Sequence, residues 1–220
     1  MTSVPEMHET PASEALDEGI YSLRQAVGIV ARNRDFTRSQ VRRWLTVVKP
    51  PSHGKYRRVT ISFLDLIGLE MLCRFRDEGA SLQRVRKVLE GMRARFPDLR
   101  HPLAQEAFYT DGHSVWIDFD GHVEEIVGNF KGHMAIREAI KSFAEEIRFV
   151  DGRATSWSVA PSIEIDPRVS FGDPVIQGTR VPVRSIVSCL EVDPPERVAR
   201  GFEVSLEEVE ACAAFASQAQ

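Results

Sequence analysis

Long apolar segments are missing from this chain of 220 residues. No apolar run approaches the roughly 18 residues that are needed to span a bilayer. The acidic N-terminus also lacks the basic start of a secretory signal. With 43% hydrophobic and 27% charged residues, the composition is that of an ordinary soluble protein with one large domain or two to three small ones. We therefore expect a cytoplasmic protein that does not bind membranes.

Cysteine is scarce, and its placement argues against two kinds of site. The three cysteines, Cys73, Cys189 and Cys212, are widely spaced and include no CxxC pair. This pattern indicates buried thiols in a reducing compartment rather than disulfides or zinc ligands. The six histidines are equally scattered. We therefore expect neither a metal site nor another cofactor.

The formal net charge of −4 conceals an uneven distribution of charge. Residues 22–100 contain 18 Lys and Arg against 7 Asp and Glu, whereas residues 101–220 contain 10 against 20. A basic segment is typical of a protein that binds a polyanion, and an acidic segment would repel phosphate. The two halves are therefore expected to bind different partners. Residues 1–19, with five acids and little apolar periodicity, are predicted to be a disordered tail.

A helix that displays arginines is predicted for residues 37–48. Thr37 and Gln40 have the spacing of a capping box at its start. Four apolar residues follow at i, i+3, i+4 and i+7 and predict one buried stripe: Val41, Trp44, Leu45 and Val48. The other side of the helix presents four polar or basic residues: Arg38, Ser39, Arg42 and Arg43. Arginines near a helix N-terminus suit the major groove of DNA, and the alternative is an ordinary solvated basic face.

The segments on either side of this helix favour DNA binding. Ser22 is predicted to cap a helix over residues 22–31, and residues 31–36 connect it to the arginine helix, which predicts a helix-turn-helix. After the arginine helix, Pro50 and Pro51 forbid further helix, while residues 56–61 alternate as a strand does, which predicts a small wing. Three basic residues at the tip of the wing would contact phosphate or the minor groove: Lys55, Arg57 and Arg58. The alternative is a charged surface hairpin.

Two more helices are predicted to complete this half. Ser62 and Asp65 form a capping box before a helix that is apolar nearly all round and stops at Gly79. Ser81 caps the next helix, which ends at Pro97. Its inward-facing residues are predicted to be Leu82, Val85, Val88, Leu89, Met92 and Phe96. Its outward-facing residues are predicted to be Arg84, Arg86, Lys87, Arg93 and Arg95.

Residues 21–96 resemble the winged helix-turn-helix of MerR-type regulators. The resemblance lies in the opening YSLRQA, in VRRWL of the second helix, in YRRVT of the wing, and in FLDL and GASLQRVRKVL after it. It implies a DNA-binding domain. MerR proteins usually continue into a long dimerising coiled coil and an effector domain with cysteines or an aromatic pocket, and this chain does not.

The middle of the chain predicts a small sheet and a covering helix. Asp111-Gly112 and Asp120-Gly121 are turn signals between alternating runs, which predict a three-stranded meander. A helix then places five apolar residues on one face: Ile136, Ala139, Ile140, Phe143 and Ile147. The pair Asp118 and Asp120 is interpreted as turn residues rather than as catalytic acids, because no nucleophile or metal spacing accompanies it.

The last segment predicts a short strand, a turn region rich in Gly and Pro, and three short helices. Asp193 is predicted as an N-cap, and Ser205 with Glu208 forms a capping box. Three helices within some fifty residues predict a helix-turn-helix-like fold with an acidic surface. The fold class predicted for the whole chain is α+β, mainly α.

Residues 163–216 resemble the domain-of-unknown-function 433 family. The resemblance rests on the string Gly-x-Pro-x-Ile-x-Gly-Thr-Arg-x-Pro-Val over residues 172–183, followed by DPPERVARGF and SLEEVEACAAFA. Proteins of that family are commonly antitoxins paired with PIN-domain ribonucleases. Together with a DNA-binding domain in front, the chain resembles the larger VapB-type antitoxins of mycobacteria, which are partners of VapC toxins. The resemblance implies a homodimer, or a higher complex with the toxin, that represses its own operon.

A VapC-type toxin needs acidic side chains that hold a divalent metal, so an inhibitor can cover that site or insert a cation into it. Four arginines are candidates for this cation: Arg180, Arg184, Arg197 and Arg200. The favoured alternative for Arg180 is a buried structural bond to backbone carbonyls or a carboxylate.

Two functions from different classes remain open. The first is an antitoxin that neutralises a PIN-domain toxin, and the second is a MerR-like regulator whose acidic half senses a small molecule. No enzymatic activity is expected. The predicted division is a tail over residues 1–19, a DNA-binding domain over 20–100, a connecting meander and helix over 101–160, and an antitoxin-type domain over 161–217.

Overall fold

A computed structural model describes residues 19–48, 60–95, 101–106 and 133–218, with side chains for all of these except Val88, Arg95 and residues 133–137. Eight α-helices lie in these ranges: α1 Leu23–Val30, α2 Arg38–Val48, α3 Phe63–Asp77, α4 Leu82–Arg95, α5 His133–Glu146, α6 Val183–Leu190, α7 Pro195–Phe202 and α8 Leu206–Ser217. Six β-strands lie there too: β1 Gly19–Tyr21, β2 Ile61–Ser62, β3 Ile147–Val150, β4 Arg153–Ala160, β5 Ile163–Ile165 and β6 Val175–Ile176. The described part is mainly helical with antiparallel sheets, which confirms the α+β class.

Reciprocal side-chain caps start α1, α2 and α3. The boxes of α2 and α3 were predicted, and for α1 the prediction was a Ser22 cap without its reciprocal bond. At α2 the Gln40 amide donates to the Thr37 hydroxyl at 3.3 Å, and the Thr37 amide donates to the Gln40 side chain at 2.7 Å. Ser22 with Gln25 and Ser62 with Asp65 make the same boxes at α1 and α3. Each box satisfies N–H groups that the first turn leaves without helical partners.

The centre of the first half is α3, which is buried nearly all round, as predicted. Gly79, directly after its C-cap, has φ 81°, so the helix stops there in a left-handed turn. Strands β1 and β2 pair antiparallel beside it, with Tyr21 opposite Ile61. Gly19 is therefore a strand residue rather than the end of a tail.

Helix α4 faces the core through Val85, Leu89 and Met92, as predicted. Arg93 corrects the prediction that the basic residues of α4 all point outward. Its guanidinium donates to the backbone carbonyls of Val47 and Val48 at the end of α2. A cation is favourable there, because the last carbonyls of a helix lack helical donors and form the negative end of its dipole.

The second half is built on a sheet of order β3-β4-β5-β6, antiparallel throughout. The β3–β4 hairpin turns at Asp151 and Gly152, both with positive φ. Asp151-Gly152 is the same turn signal as Asp111-Gly112 and Asp120-Gly121. No hairpin was predicted at this position from the sequence. The predicted helix accordingly ends earlier than expected: Ile147 lies in β3, where it pairs with Trp157.

Helices α6, α7 and α8 follow the sheet and enclose a second apolar cluster around Ile186, Val198 and Cys212. The Ser205–Glu208 capping box forms at α8 as predicted. The N-cap of α7 is Pro194 rather than Asp193, and Pro195 lies in its first turn, where a missing N–H costs nothing. The Asp193 carboxylate instead accepts from Arg197 at 3.0 Å.

One apolar core crosses the predicted domain boundaries. The cluster around Tyr21 and Leu72 also includes Phe143, Trp157 and Ile165. The boundaries themselves stay predictions. Residues 49–59 of the predicted wing lie outside the described residues, as does the meander with its turns and aspartates. Ile61, the last residue of the predicted wing strand, lies in β2. Within the described residues, no helix is long and apolar enough to cross a membrane.

Candidate functional site

The arginine face of α2 consists of Arg38, Ser39, Arg42 and Arg43, and all four residues are exposed. Among the described residues, no carboxylate pairs with Arg38, Arg42 or Arg43. The residues Lys55, Arg57 and Arg58, predicted to assist this face, lie outside the described part of the chain. The structure therefore leaves a row of guanidinium groups on the first turns of α2 available to an acidic partner.

The opposite side of α2 holds the arginine face in place. Trp44 is 2% exposed and packs edge-on against Phe36, with ring centroids 4.7 Å apart. Val48 lies so close to α3 that a Cβ on Gly68 would stand 2.5 Å from its Cγ1. With Arg93 bound to the last carbonyls, α2 is fixed along its length, so the arginines project from a rigid helix.

The four arginines proposed for toxin contact all lie on the surface. Arg184 pairs with Asp173 at 2.7 Å, and Arg197 pairs with Asp193 at 3.0 Å. Among the described residues, neither Arg180 nor Arg200 has a side-chain partner. Because the Arg180 side chain is exposed, the alternative of a buried structural bond is wrong, and its contact with a toxin stays a prediction.

An ion-pair network joins the two halves. Glu70 of α3 accepts from Arg34 at 2.8 and 2.9 Å and from Arg74 at 2.8 Å. Arg74 also donates two bonds to Glu146 of α5, at 2.9 and 2.7 Å. Glu146 in turn accepts from the Trp157 indole at 3.1 Å. Burial lowers the pKa of Arg34, but the hydrogen bonds and charge of Glu70 outweigh it, so the net shift is upward and Arg34 stays charged.

Arg32 forms a second junction, between α1 and the last helix. Its guanidinium carbon lies 3.9 Å from the ring centroid of Phe215, and it donates to the Val159 carbonyl at 3.1 Å. Burial lowers the pKa of Arg32 to about 10, with smaller effects of Glu70, Arg34 and Glu146. Arginines 32 and 34 were assigned no role in the sequence, since their partners lie far away along the chain.

An open cleft of about 780 Å³ lies between these two junctions. Its walls come from the α1–α2 connection, α3 and β4, and include Asn33, Asp77 and Pro161. Arg34 and Arg74 in its wall are paired with carboxylates. Arg32, which also lines the cleft, binds backbone carbonyls and the Phe215 ring instead, so it is the arginine of the wall without a carboxylate partner among the described residues.

An exposed aromatic residue, Phe171, is another feature that was not predicted from the sequence. Phe171 is 87% exposed and lies in a turn where Ser170, Phe171 and Gly172 all have positive φ. The turn directly precedes the string over residues 172–183, and Gly172 is the first residue of that string. Phenylalanine is usually buried, and nothing local in the sequence marks this one as exposed.

Comparison with known proteins relates the last part of the chain to a family. Residues 163–216 match the family described as Protein of unknown function (DUF433). A protein named as a candidate antitoxin, VapB45, from Mycobacterium tuberculosis (strain ATCC 25618 / H37Rv) is 25% identical over 156 residues. The chain is similar to an antitoxin-like protein. The match covers 64% of this chain and 64% of the length of the relative.

A solved structure has the same fold. The crystal structure of Rv2018 from Mycobacterium tuberculosis superposes with a TM-score of 0.70, covering 90% of this chain and 99% of that chain. Its sequence is 20% identical, so the likeness concerns the fold alone. The fold match thus extends well beyond the residues that match the family.

Proposed function

We propose that this protein is the antitoxin of a type II toxin-antitoxin system, which binds and neutralises a PIN-domain VapC-type ribonuclease and represses its own operon. The observation that supports it best is the pairing of an exposed arginine face on α2 with a C-terminal part similar to an antitoxin-like family. The basic first half suits DNA, and the acidic second half is then assigned to the protein partner.

In this proposal the first half is a winged helix-turn-helix. Helix α1, the connection over residues 31–37 and helix α2 supply the helix pair, and α2 enters the major groove. Arg38, Arg42 and Arg43 bind guanine edges or phosphate, and Ser39 lies among them. The segment with Lys55, Arg57 and Arg58 would form the wing.

The toxin contact is proposed for the exposed arginines of the string over residues 172–183 and of the helices α6 and α7, not for the whole surface of that part. Arg180 and Arg200 are the candidates with free guanidinium groups among the described residues, whereas Arg184 and Arg197 would first have to leave Asp173 and Asp193. We therefore favour Arg180 or Arg200 as the cation that approaches the acidic metal site of the toxin.

Co-expression tests the proposal. The product of the adjacent open reading frame, expected to be a small PIN-domain protein, is induced alone and together with this chain. Growth arrest that the full chain relieves, together with co-purification of both proteins, is the expected result. Absence of arrest, or arrest that the full chain fails to relieve, would refute the antitoxin function. Arg180→Ala and Arg200→Ala, each checked for an unchanged melting temperature, then locate the contact.

The cleft between the halves favours a second candidate function, a MerR-like regulator that senses a small molecule. Its volume of about 780 Å³ falls in the range of ligand sites. With Arg34 and Arg74 paired and Arg32 without a carboxylate, its wall would suit an uncharged, zwitterionic or singly negative ligand. A transporter or resistance gene beside this one, with DNA binding that changes when its substrate is added, would favour this function over the first.

A further inference from the structure

Phe171 is an aromatic side chain that the fold holds in water. It is 87% exposed, and its backbone has φ 56° and ψ 35°, the left-handed region. Ser170 before it and Gly172 after it also have positive φ, 47° and 75°. A non-glycine residue in this region costs about 1 kcal/mol or more. One exposed apolar residue is ordinary, but an exposed aromatic next to an apolar groove forms the kind of contiguous apolar patch that marks an interaction surface.

The turn is held on both sides. The Tyr21 hydroxyl donates to the Gly172 carbonyl at 2.9 Å, and the Ser170 hydroxyl donates to the Arg180 carbonyl at 3.2 Å. The Gly172 amide donates to the Val169 carbonyl at 2.9 Å. Because the turn is fixed before any partner arrives, little conformational entropy is lost when Phe171 becomes buried.

A groove of about 310 Å³ lies near this turn, and Asp173, two residues after Phe171, is one of its lining residues. It runs between α6 and α8 and is mainly apolar. Its lining comprises Pro174, Val183, Val187, Ser188, Phe215 and Ala216. Asp173 and Arg184 form an ion pair of 2.7 Å at its edge, and Arg184 is largely exposed.

A projecting aromatic and an apolar groove that neighbour each other on one chain form a self-complementary surface. In a twofold dimer, any contact from residue i to residue j is repeated from j to i. We propose that this face is the homodimer interface, in which Phe171 of each copy enters the groove between α6 and α8 of the other. The Asp173–Arg184 pairs then meet across the twofold axis, where each arginine can bind the partner's carboxylate.

The dimer has a consequence for DNA binding, and this step rests on the proposed function. Helix-turn-helix proteins that are dimers bind two half-sites about one turn of DNA apart, one with each recognition helix. The Phe171 turn contacts Tyr21 of β1, which pairs with β2 beside α3. The proposed interface is therefore joined directly to the half with the arginine face.

Sedimentation equilibrium of the full chain tests the interface without DNA or toxin. The wild type is expected to be a dimer, and Phe171→Lys is expected to raise the dimer dissociation constant at least ~30-fold, as for removal of an aromatic hot spot. Val192→Lys is the matched control, because Val192 is similarly exposed, at 82%, but lies two residues after the end of α6 and outside the groove. Its dissociation constant should stay that of the wild type.

A mixture of two variants tests the Phe171 side chain and the groove together. Ser188→Glu places a charge on an exposed position of the groove and should also give monomers. In a mixed dimer, Phe171 of the Ser188→Glu chain still fits the intact groove of the Phe171→Lys chain, and Lys meets Glu at the second contact. Mixing the two monomeric variants is therefore expected to restore a dimer.

Three results would overturn the inference: a monomeric wild type at all concentrations, a Phe171→Lys protein that dimerises as tightly as wild type, or a mixture that stays monomeric. If the wild type is monomeric and Phe171→Lys instead abolishes relief of toxin arrest, the turn binds the toxin. The antitoxin proposal would survive that outcome, and the dimer interface would not. A dimer of the expected behaviour without toxin binding would leave the interface standing and refute the antitoxin function.

Discussion

The hydroxyl of Tyr21 donates a 2.9 Å hydrogen bond to the backbone carbonyl of Gly172, 151 residues further along the chain. The contact is close enough that a Cβ on Gly172 would collide with the Tyr21 hydroxyl and lie 2.6 Å from Cδ1 of Ile20. The glycine of the C-terminal string thus has two functions at one position: it adopts φ 75°, and it lets β1 approach the turn.

Gly172→Ala should destabilise the protein more than Gly178→Ala does. Both glycines have φ 75°, but nothing lies within 4 Å of a Cβ on Gly178. Both variants suffer the left-handed penalty of about 1 kcal/mol, and only Gly172→Ala adds overpacking of about 1 to 3 kcal/mol. Urea titrations of both variants measure the difference. Equal losses of unfolding free energy would show that the turn yields without cost.

Tyr21 should make the protein sensitive to alkaline pH. Burial, with smaller contributions from Asp173 and Asp166, raises the pKa of Tyr21 above its ordinary value of about 10. The folded state therefore keeps a proton that the unfolded state loses. The contribution to stability is complete below pH of about 10 and declines above it, by at most about 1.4 kcal/mol per pH unit. In Tyr21→Phe the unfolding free energy should be lower at neutral pH by about 1 kcal/mol, because the hydrogen bond is removed. Its decline above pH of about 10 should be shallower, and parallel curves would contradict the assignment.

Glu70→Gln should be far more costly than Asp193→Asn. Each substitution neutralises the partner of an arginine four residues later, but the side chain of Glu70 is 4% exposed and that of Asp193 is 36% exposed. Removing Glu70 leaves Arg34 and Arg74 without the carboxylate between them, at a cost of about 2 to 5 kcal/mol. The exposed pair contributes at most about 1 kcal/mol. Thermal unfolding compares the two, and similar melting temperatures would mean that the network contributes little.

The double variant Arg42→Ala with Arg43→Ala should weaken DNA binding and its dependence on salt. Each phosphate that the variant no longer binds reduces the slope of log K against log salt concentration by roughly 1. Arg197→Ala with Arg200→Ala removes two exposed arginines from the acidic half and serves as the control. Fluorescence anisotropy in a salt series gives the slopes. A changed sequence preference with an unchanged slope would make Arg42 and Arg43 readers of bases, and no change in either would exclude α2 from the interface.

Trp44→Ala should unfold the first half rather than only release DNA. Trp44 is 2% exposed and packs against Phe36, so its removal should cost about 3 to 5 kcal/mol. Near-ultraviolet circular dichroism and urea unfolding report the destabilisation. A variant that melts like the wild type but binds DNA poorly would make Trp44 a base-stacking residue.

The sequence by itself determined the local structure of the first half. The Ser22 cap and the boxes at Thr37 and Ser62 start their helices where the sequence predicts. The predicted stripe is buried: Val41, Trp44, Leu45 and Val48. These are interactions within one or two turns, so a single segment contains all the partners. The exposure of Arg42 and Arg43 followed from the same periodicity. The Asp151-Gly152 hairpin obeys an equally local rule, that of the Asp-Gly turn, and was predictable in the same way.

Only the tertiary structure decided how distant residues meet. Nothing near Arg34 or Arg74 in the sequence indicates Glu146, and nothing near Gly172 indicates Tyr21. Arg93 has the periodicity of an outward residue, yet it binds the end of α2, because a long side chain at a helix edge can reach a neighbouring helix. Phe171 stays in water because hydrogen bonds from Tyr21 and Ser170 fix its turn. Such contacts depend on where the whole chain places each segment, and local propensity contains no information about that placement.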